Sequence, residues 1–145
     1  MARILVVDDE PKMTSLLCGH LEDAGHQVST STRPAEALTL IEKHSFDIVI
    51  TDLSMPEIGG MTILERALEK PGTEVIMMTA FGTVESAVTA MKKGAAEYLV
   101  KPFSLDELAI MVRKLVDKQK LASLVTHYRE KEEAAGVSFV GTSEA

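Results

Sequence analysis

The chain has 145 residues, 46% hydrophobic, 26% charged and 4% aromatic, with a formal net charge of -7. That length suits one ordinary domain, which buries roughly 70% of its unfolded surface and needs no covalent staples. A lone cysteine (Cys18), four scattered histidines, no apolar run near the roughly 18 residues of a membrane span, early acid in MARILVVDD and the acidic balance exclude a disulfide scaffold, a Cys/His zinc module, a span, a secretory signal and unaided nucleic-acid binding, leaving a soluble, cytoplasmic α/β domain as the expectation.

In chain order, Arg3–Val7 (RILVV) predicts a strand, and Pro11–Ala24 a helix with Pro near its first turn and Gly25 just past its end. Gln27–Thr30 (QVST) is more polar and reads as an edge strand; helical Pro34–His44 follows, with Ala35, Leu38 and Ile41 three apart. Next come the strand Asp47–Thr51 (DIVIT), a turn at Gly59–Gly60 and helical Met61–Glu69. The strand Glu74–Thr79 (EVIMMT), helical Thr83–Lys93 stopping at Gly94 and the strand Glu97–Val100 (EYLV) complete the alternation. Four of these runs are nearly continuous in Val, Ile, Leu or Met, as strands covered on both faces require. Strict alternation implies parallel strands joined by right-handed crossovers, hence an α/β fold, a (βα)5 doubly wound sheet. Cys18, among Leu16, Leu17 and Leu21, is expected in the core, and Met77, Met78 and Met91 as packing residues.

From Ser104, an N-cap candidate with Glu107 three residues on, no Gly or Pro appears until Gly136. About 30 helical residues span roughly 45 Å, twice what covers a five-stranded sheet. Leu108, Met111, Val112 and Leu115 can pack on the domain, whereas Leu121, Leu124, Val125 and Tyr128 form a stripe without cover, ahead of the charged run Arg129–Glu133. Pairing with another chain as a coiled coil and a frayed end are both open, because the apolar phase slips near Lys118–Gln119.

In a doubly wound sheet, ligands bind beyond the carboxyl ends of the strands. Those ends carry Asp8–Asp9–Glu10, Asp52, Thr79–Ala80 and Lys101–Pro102. Three close carboxylates repel unless a hard divalent cation cancels the charge, and Mg²⁺ suits one or two carboxylates plus waters and phosphate. Lys101 offers a mobile charge to a phosphoryl oxygen, Thr79 a neutral donor, and Asp52 a carboxylate nucleophile that forms an aspartyl phosphate. Taken singly, Asp9 and Glu10 before Pro11 could do no more than cap a helix.

With ILVVDDE, DIVITDLSMP, VIMMTAFG and YLVKPF, the stretch from about Arg3 to Val116 resembles the receiver domain of two-component response regulators. The resemblance implies the flavodoxin-like strand order 2-1-3-4-5. It implies that Asp52 accepts a phosphoryl group from the histidine of a sensor kinase, and that Asp8, Asp9 and Asp52 hold Mg²⁺ with the Ser54 carbonyl. Thr79 and Lys101 contact the phosphoryl group, helped by the Leu53 and Ala80 amides, and the Lys101–Pro102 peptide is cis. Tyr98 turns inward when Thr79 moves, changing the face of the fourth helix, fifth strand and fifth helix on which a homodimer forms. On this reading the domain is a signalling module whose only chemistry is its own phosphorylation and dephosphorylation.

The tail VSFVGTSEA resembles the opening of the AAA+ ATPase domain of nitrogen-regulatory-type, sigma-54-dependent activators. That divides the chain into a receiver (1–118), a helical linker (119–135) and the start of an ATPase (136–145), within a protein whose ATPase and DNA-binding parts lie elsewhere. This segment then touches neither nucleic acid nor membrane. Rival readings are an aspartyl-nucleophile phosphatase, which would carry D-x-D on strand one; a flavin binder, which needs a phosphate loop rich in Ser, Thr and Gly after strand one, where DDEP would repel a phosphate; and a receiver-fold dimerisation module that works without phosphate.

Overall fold

A computed structural model describes residues 2–55 and 58–134, with side chains described as far as Leu121. Five strands, β1 (Arg3–Val7), β2 (Gln27–Ser31), β3 (Ile48–Asp52), β4 (Glu74–Thr79) and β5 (Glu97–Val100), alternate with five helices, α1 (Pro11–Asp23), α2 (Pro34–Lys43), α3 (Gly60–Leu68), α4 (Val84–Lys92) and α5 (Leu105–Ala134). The strands pair in parallel in the order β2-β1-β3-β4-β5. This is the (βα)5 sheet expected from the alternation, with the polar run β2 at an edge as anticipated. Among the described residues no helix is long and apolar enough to cross a membrane.

Period-two alternation divides the core between the two faces of the sheet. Ile4, Val6, Ile48, Ile50, Ile76 and Met78 pack toward Leu17 and Leu21 of α1 and Leu108, Val112 and Leu115 of α5. Leu5, Val7, Val49, Val75 and Met77 pack toward Ala37 and Ile41 of α2, Ile63, Leu64 and Ala67 of α3 and Ala90 of α4. Full burial of each large aliphatic chain is worth about 1.5–3 kcal/mol, which fixes the register.

Two packing expectations are corrected. Cys18 is half-buried and Leu16 is 54% exposed, because α1 turns Thr14, Leu17 and Leu21 inward and 100° per residue carries their neighbours off that face. Met91 is 47% exposed: α4 buries only Ala90, and Val84, Val88 and Met91 lie outward. Most element ends shift by a residue or so; notably, β3 runs through Asp52, paired with Met78.

Helix α5 starts where the sequence placed its cap, with the Ser104 hydroxyl accepting the Asp106 and Glu107 amides at 3.1 and 3.3 Å. Leu121 is 64% exposed. The side chains of Leu124, Val125, Tyr128 and Arg129–Glu133, and the tail 136–145, lie outside the described residues.

Candidate functional site

The strand register makes one cluster of four separated segments. Asp8 follows β1, Asp52 ends β3 and Thr79 ends β4 beside Val100, so Lys101 emerges next to Thr79. A further bond ties the last two, the Lys101 amide donating to the Thr79 carbonyl at 2.7 Å. The Lys101–Pro102 peptide is cis.

Carboxylate oxygens of Asp8, Asp9 and Asp52 lie within 4.8 Å of one another, with Asp8 and Asp52 buried and Asp9 exposed. Lys101 Nζ bridges the two buried ones, 2.7 Å from Asp8 Oδ2 and 3.1 Å from Asp52 Oδ2. Backbone amides hold the other oxygens: Glu10 N–H donates to Asp8 Oδ1 at 2.9 Å and Ser54 N–H to Asp52 Oδ1 at 3.1 Å. A cleft of about 380 Å³ opens over Asp52, lined by Asp9, Glu10, Ser54, Ala80, Phe81 and Lys101.

Burial pushes the Asp52 carboxyl above its ordinary pKa, against the opposing pull of the Ser54 amide and Lys101. For Lys101 burial works to lower the pKa, but hydrogen bonds to Asp8 and Asp52 and their charges outweigh it and raise the ammonium above its usual range. The lysine is therefore a fixed positive charge, while Asp52 is a carboxylate whose charge the pocket only partly compensates. Three carboxylates facing one lysine leave negative charge uncancelled, and an all-oxygen, partly open donor set of this kind fits a hard divalent cation.

The other expected residues fall around this centre, with one exception. Thr79 is buried, and its hydroxyl accepts the Phe81 amide at 3.1 Å. Ala80 and Ser54 border the cleft. Leu53, in contrast, donates its N–H to the Met78 carbonyl at 2.8 Å, continuing the β3–β4 ladder past Asp52. The amide that faces the Asp52 carboxylate is that of Ser54.

Tyr98 is half-buried on β5, its hydroxyl 2.5 Å from the Ser86 Oγ. Ser86 also closes the capping box of α4 with Thr83, each side chain accepting the other's backbone N–H at 3.0–3.2 Å. Neither this capping box nor the partnership of Ser86 with Tyr98 was read from the sequence, where Thr83 served only to open the helical run. Gly60 was read only as a turn residue. A Cβ there would stand 2.2 Å from the Asp52 carbonyl oxygen, so the start of α3 approaches the end of β3 more closely than any side chain permits.

A profile of the family described as "Response regulator receiver domain" matches residues 4–113. The transcriptional regulatory protein TcrA of Mycobacterium tuberculosis is 40% identical over 114 residues, covering 78% of this chain and 45% of TcrA. The regulatory protein AtoC of Escherichia coli is 35% identical over 129 residues, covering 88% of this chain and 28% of AtoC. The chain thus spans less than half the length of these curated relatives. A solved structure, the beryllofluoride-activated NtrC4 receiver domain dimer, is similar with a TM-score of 0.76 at 36% identity, covering 81% of this chain and 98% of that one.

Proposed function

The chain belongs to the response regulator receiver family, and on that premise we propose that Asp52 takes a phosphoryl group from a sensor histidine kinase and that the receiver passes the change to a larger transcription activator. The observation that carries the proposal is the Asp52 carboxylate itself, ending β3 in an open cleft with Asp8, Asp9 and Lys101 around it. An Asp52 oxygen bonds to phosphorus as the P–N bond of a phosphohistidine breaks, or the P–O bond of acetyl phosphate in a test tube. Asp8, Asp9, Asp52 and the Ser54 carbonyl would hold Mg²⁺, which supplies the charge neutralisation that phosphoryl transfer needs. Lys101, freed from Asp52, pairs with a phosphoryl oxygen, and the Ser54 and Ala80 amides face the others.

Thr79 gives the switch its direction. Its hydroxyl now accepts the Phe81 amide, a neutral bond worth about 1 kcal/mol, whereas donating to a phosphoryl oxygen gains about 1.5–3 kcal/mol. The difference of about 0.5–2 kcal/mol shifts a two-state equilibrium roughly 2- to 30-fold. Movement of Thr79 opens space behind Tyr98, whose inward turn breaks its bond to Ser86 at the start of α4. The outward apolar residues Val84, Val88 and Met91 of α4 and Val100 of β5 then belong to the surface that rearranges, and the dimeric state of the NtrC4 receiver supports homodimerisation as the outcome.

Residues 1–118 form the receiver on this reading, 119–135 a helical linker and 136–145 the start of a sigma-54-type AAA+ ATPase, with DNA-binding parts beyond it. Intact mass after incubation with acetyl phosphate and Mg²⁺ tests the centre of the proposal. One added phosphoryl group on the wild type and none on Asp52→Asn is expected. Addition to both chains would place the acceptor elsewhere.

A further inference from the structure

The apolar phase of α5 slips at Lys118–Gln119, and the reason lies at the amino edge of the sheet, opposite the carboxylate cleft. Gln119 is half-buried and uses both hydrogens of its amide, Nε2 donating to the Asp47 carbonyl at 2.9 Å and to the Gly72 carbonyl at 3.0 Å. These carbonyls belong to the turns that lead into β3 and β4. Asp47 is itself a junction: its carbonyl also accepts the Glu74 amide at 3.0 Å, and its Oδ2 accepts the Arg3 amide at 2.8 Å. An aliphatic residue at position 119 would continue the stripe of α5 but could not donate to either turn.

The contacts of α5 with the domain change character near this position, from apolar burial to hydrogen bonding. Among the described side chains of α5, Leu115, 6% exposed, is the last buried apolar one, while Lys120 and Leu121 are exposed. Lys118, 3.6 Å from Glu74, is an exposed pair of little strength. Among the described residues, Gln119 is the last side chain of α5 that hydrogen-bonds to the body of the domain.

We infer that Gln119 is a positioning residue that fixes the direction in which α5 leaves the sheet. It clamps the helix to two strand-entry turns at once, so the remainder of α5 extends as a rigid arm and not from a hinge. From Gln119 to Ala134 the arm is about 22 Å long, and an angular play of about 10° would move its end by about 4 Å. What the direction serves rests on the receiver-and-linker reading above; that the direction is fixed does not.

The test is a distance distribution between spin labels at Glu69, an exposed residue just beyond α3, and at Glu130 on the arm, in a Cys18→Ser background diluted with unlabelled chain. Gln119→Glu keeps the size but has no donor at neutral pH, and Gln119→Ala removes the donor without adding an acceptor. A narrow distribution is expected for Gln119 and a broad one for both variants. Amide exchange around positions 119–123 should quicken roughly 10- to 100-fold, the equivalent of two lost hydrogen bonds, while β3 and β4 keep their protection. Equal widths in all three chains would overturn the inference. So would equal quickening of the strands, which would make Gln119 a general stabiliser. Neither readout involves Asp52, so a failure of phosphorylation leaves both interpretable.

Discussion

Replacing Asp52 by asparagine should make the protein more stable when no divalent cation is present. Asp52 and Asp8 carboxylate oxygens lie within 4.8 Å, a repulsion of about 3.5 kcal/mol at an effective dielectric of about 20. Exposed Asp9 adds a screened contribution of about 1 kcal/mol. Lys101 Nζ at 3.1 Å from Asp52 returns about 5 kcal/mol on the same scale. The charge terms thus nearly cancel, and the cost of burying the carboxylate decides the sign, in accord with a pKa raised chiefly by burial. Asparagine keeps one acceptor oxygen for the Ser54 amide and leaves Lys101 to Asp8, 2.7 Å away, so a net gain of about 1–2 kcal/mol is expected, or about 3–8 °C in Tm for a chain of this size. Magnesium reverses the comparison: a cation at 100 times its Kd stabilises the wild type by about 2.7 kcal/mol, and the variant, short of one carboxylate ligand, gains less. Thermal unfolding of both chains at neutral pH, in EDTA and in Mg²⁺, measures this directly. A variant that melts below the wild type in EDTA would refute the burial argument, and equal gains with Mg²⁺ would remove Asp52 from the ligands.

Gly60→Ala drives a methyl group into the Asp52 carbonyl and the Leu53 Cα, so it should cost roughly 2–3 kcal/mol in denaturant unfolding and slow phosphorylation of Asp52. Tyr98→Ala should leave the mass increase on Asp52 unchanged while abolishing any phosphorylation-dependent change in dimerisation, as read by light scattering; retained coupling would count against the relay. Ser86→Ala removes both the partner of Tyr98 and half of the α4 capping box, and should speed amide exchange in the first turn of α4 roughly 3- to 30-fold, the loss of about 0.5–2 kcal/mol of capping. His26 accepts the Ala2 amide through Nδ1, and burial lowers its pKa. Protonation abolishes that acceptor, so the stability it confers is complete above the unfolded value of about 6.5 and is lost as pH falls through the depressed folded value. The Tm difference between wild type and His26→Phe should therefore shrink on acidification, and a constant difference would contradict the assignment.

The sequence by itself determined the alternation of strands and helices, the parallel sheet and the composition of the carboxylate cleft. Each is written locally: apolar runs such as EVIMMT bury both faces of a strand, Ser104 caps a helix, and DDE, Asp52, Thr79 and Lys101 stand at strand ends where a parallel sheet gathers its loops. Tertiary structure alone decided what depends on contacts between distant segments. The Leu53 amide belongs to the ladder because β3 pairs with β4 one residue beyond Asp52, leaving the Ser54 amide to face the carboxylate. Ser86 meets Tyr98 across 12 positions and Gln119 reaches Asp47 across 72, and neither pairing imposes a periodicity that a local pattern could carry. Gly60 looked like an ordinary turn residue until the backbone of β3 stood where its Cβ would be. Periodicity records which face a residue buries; the partner it meets there is set only when the chain closes on itself.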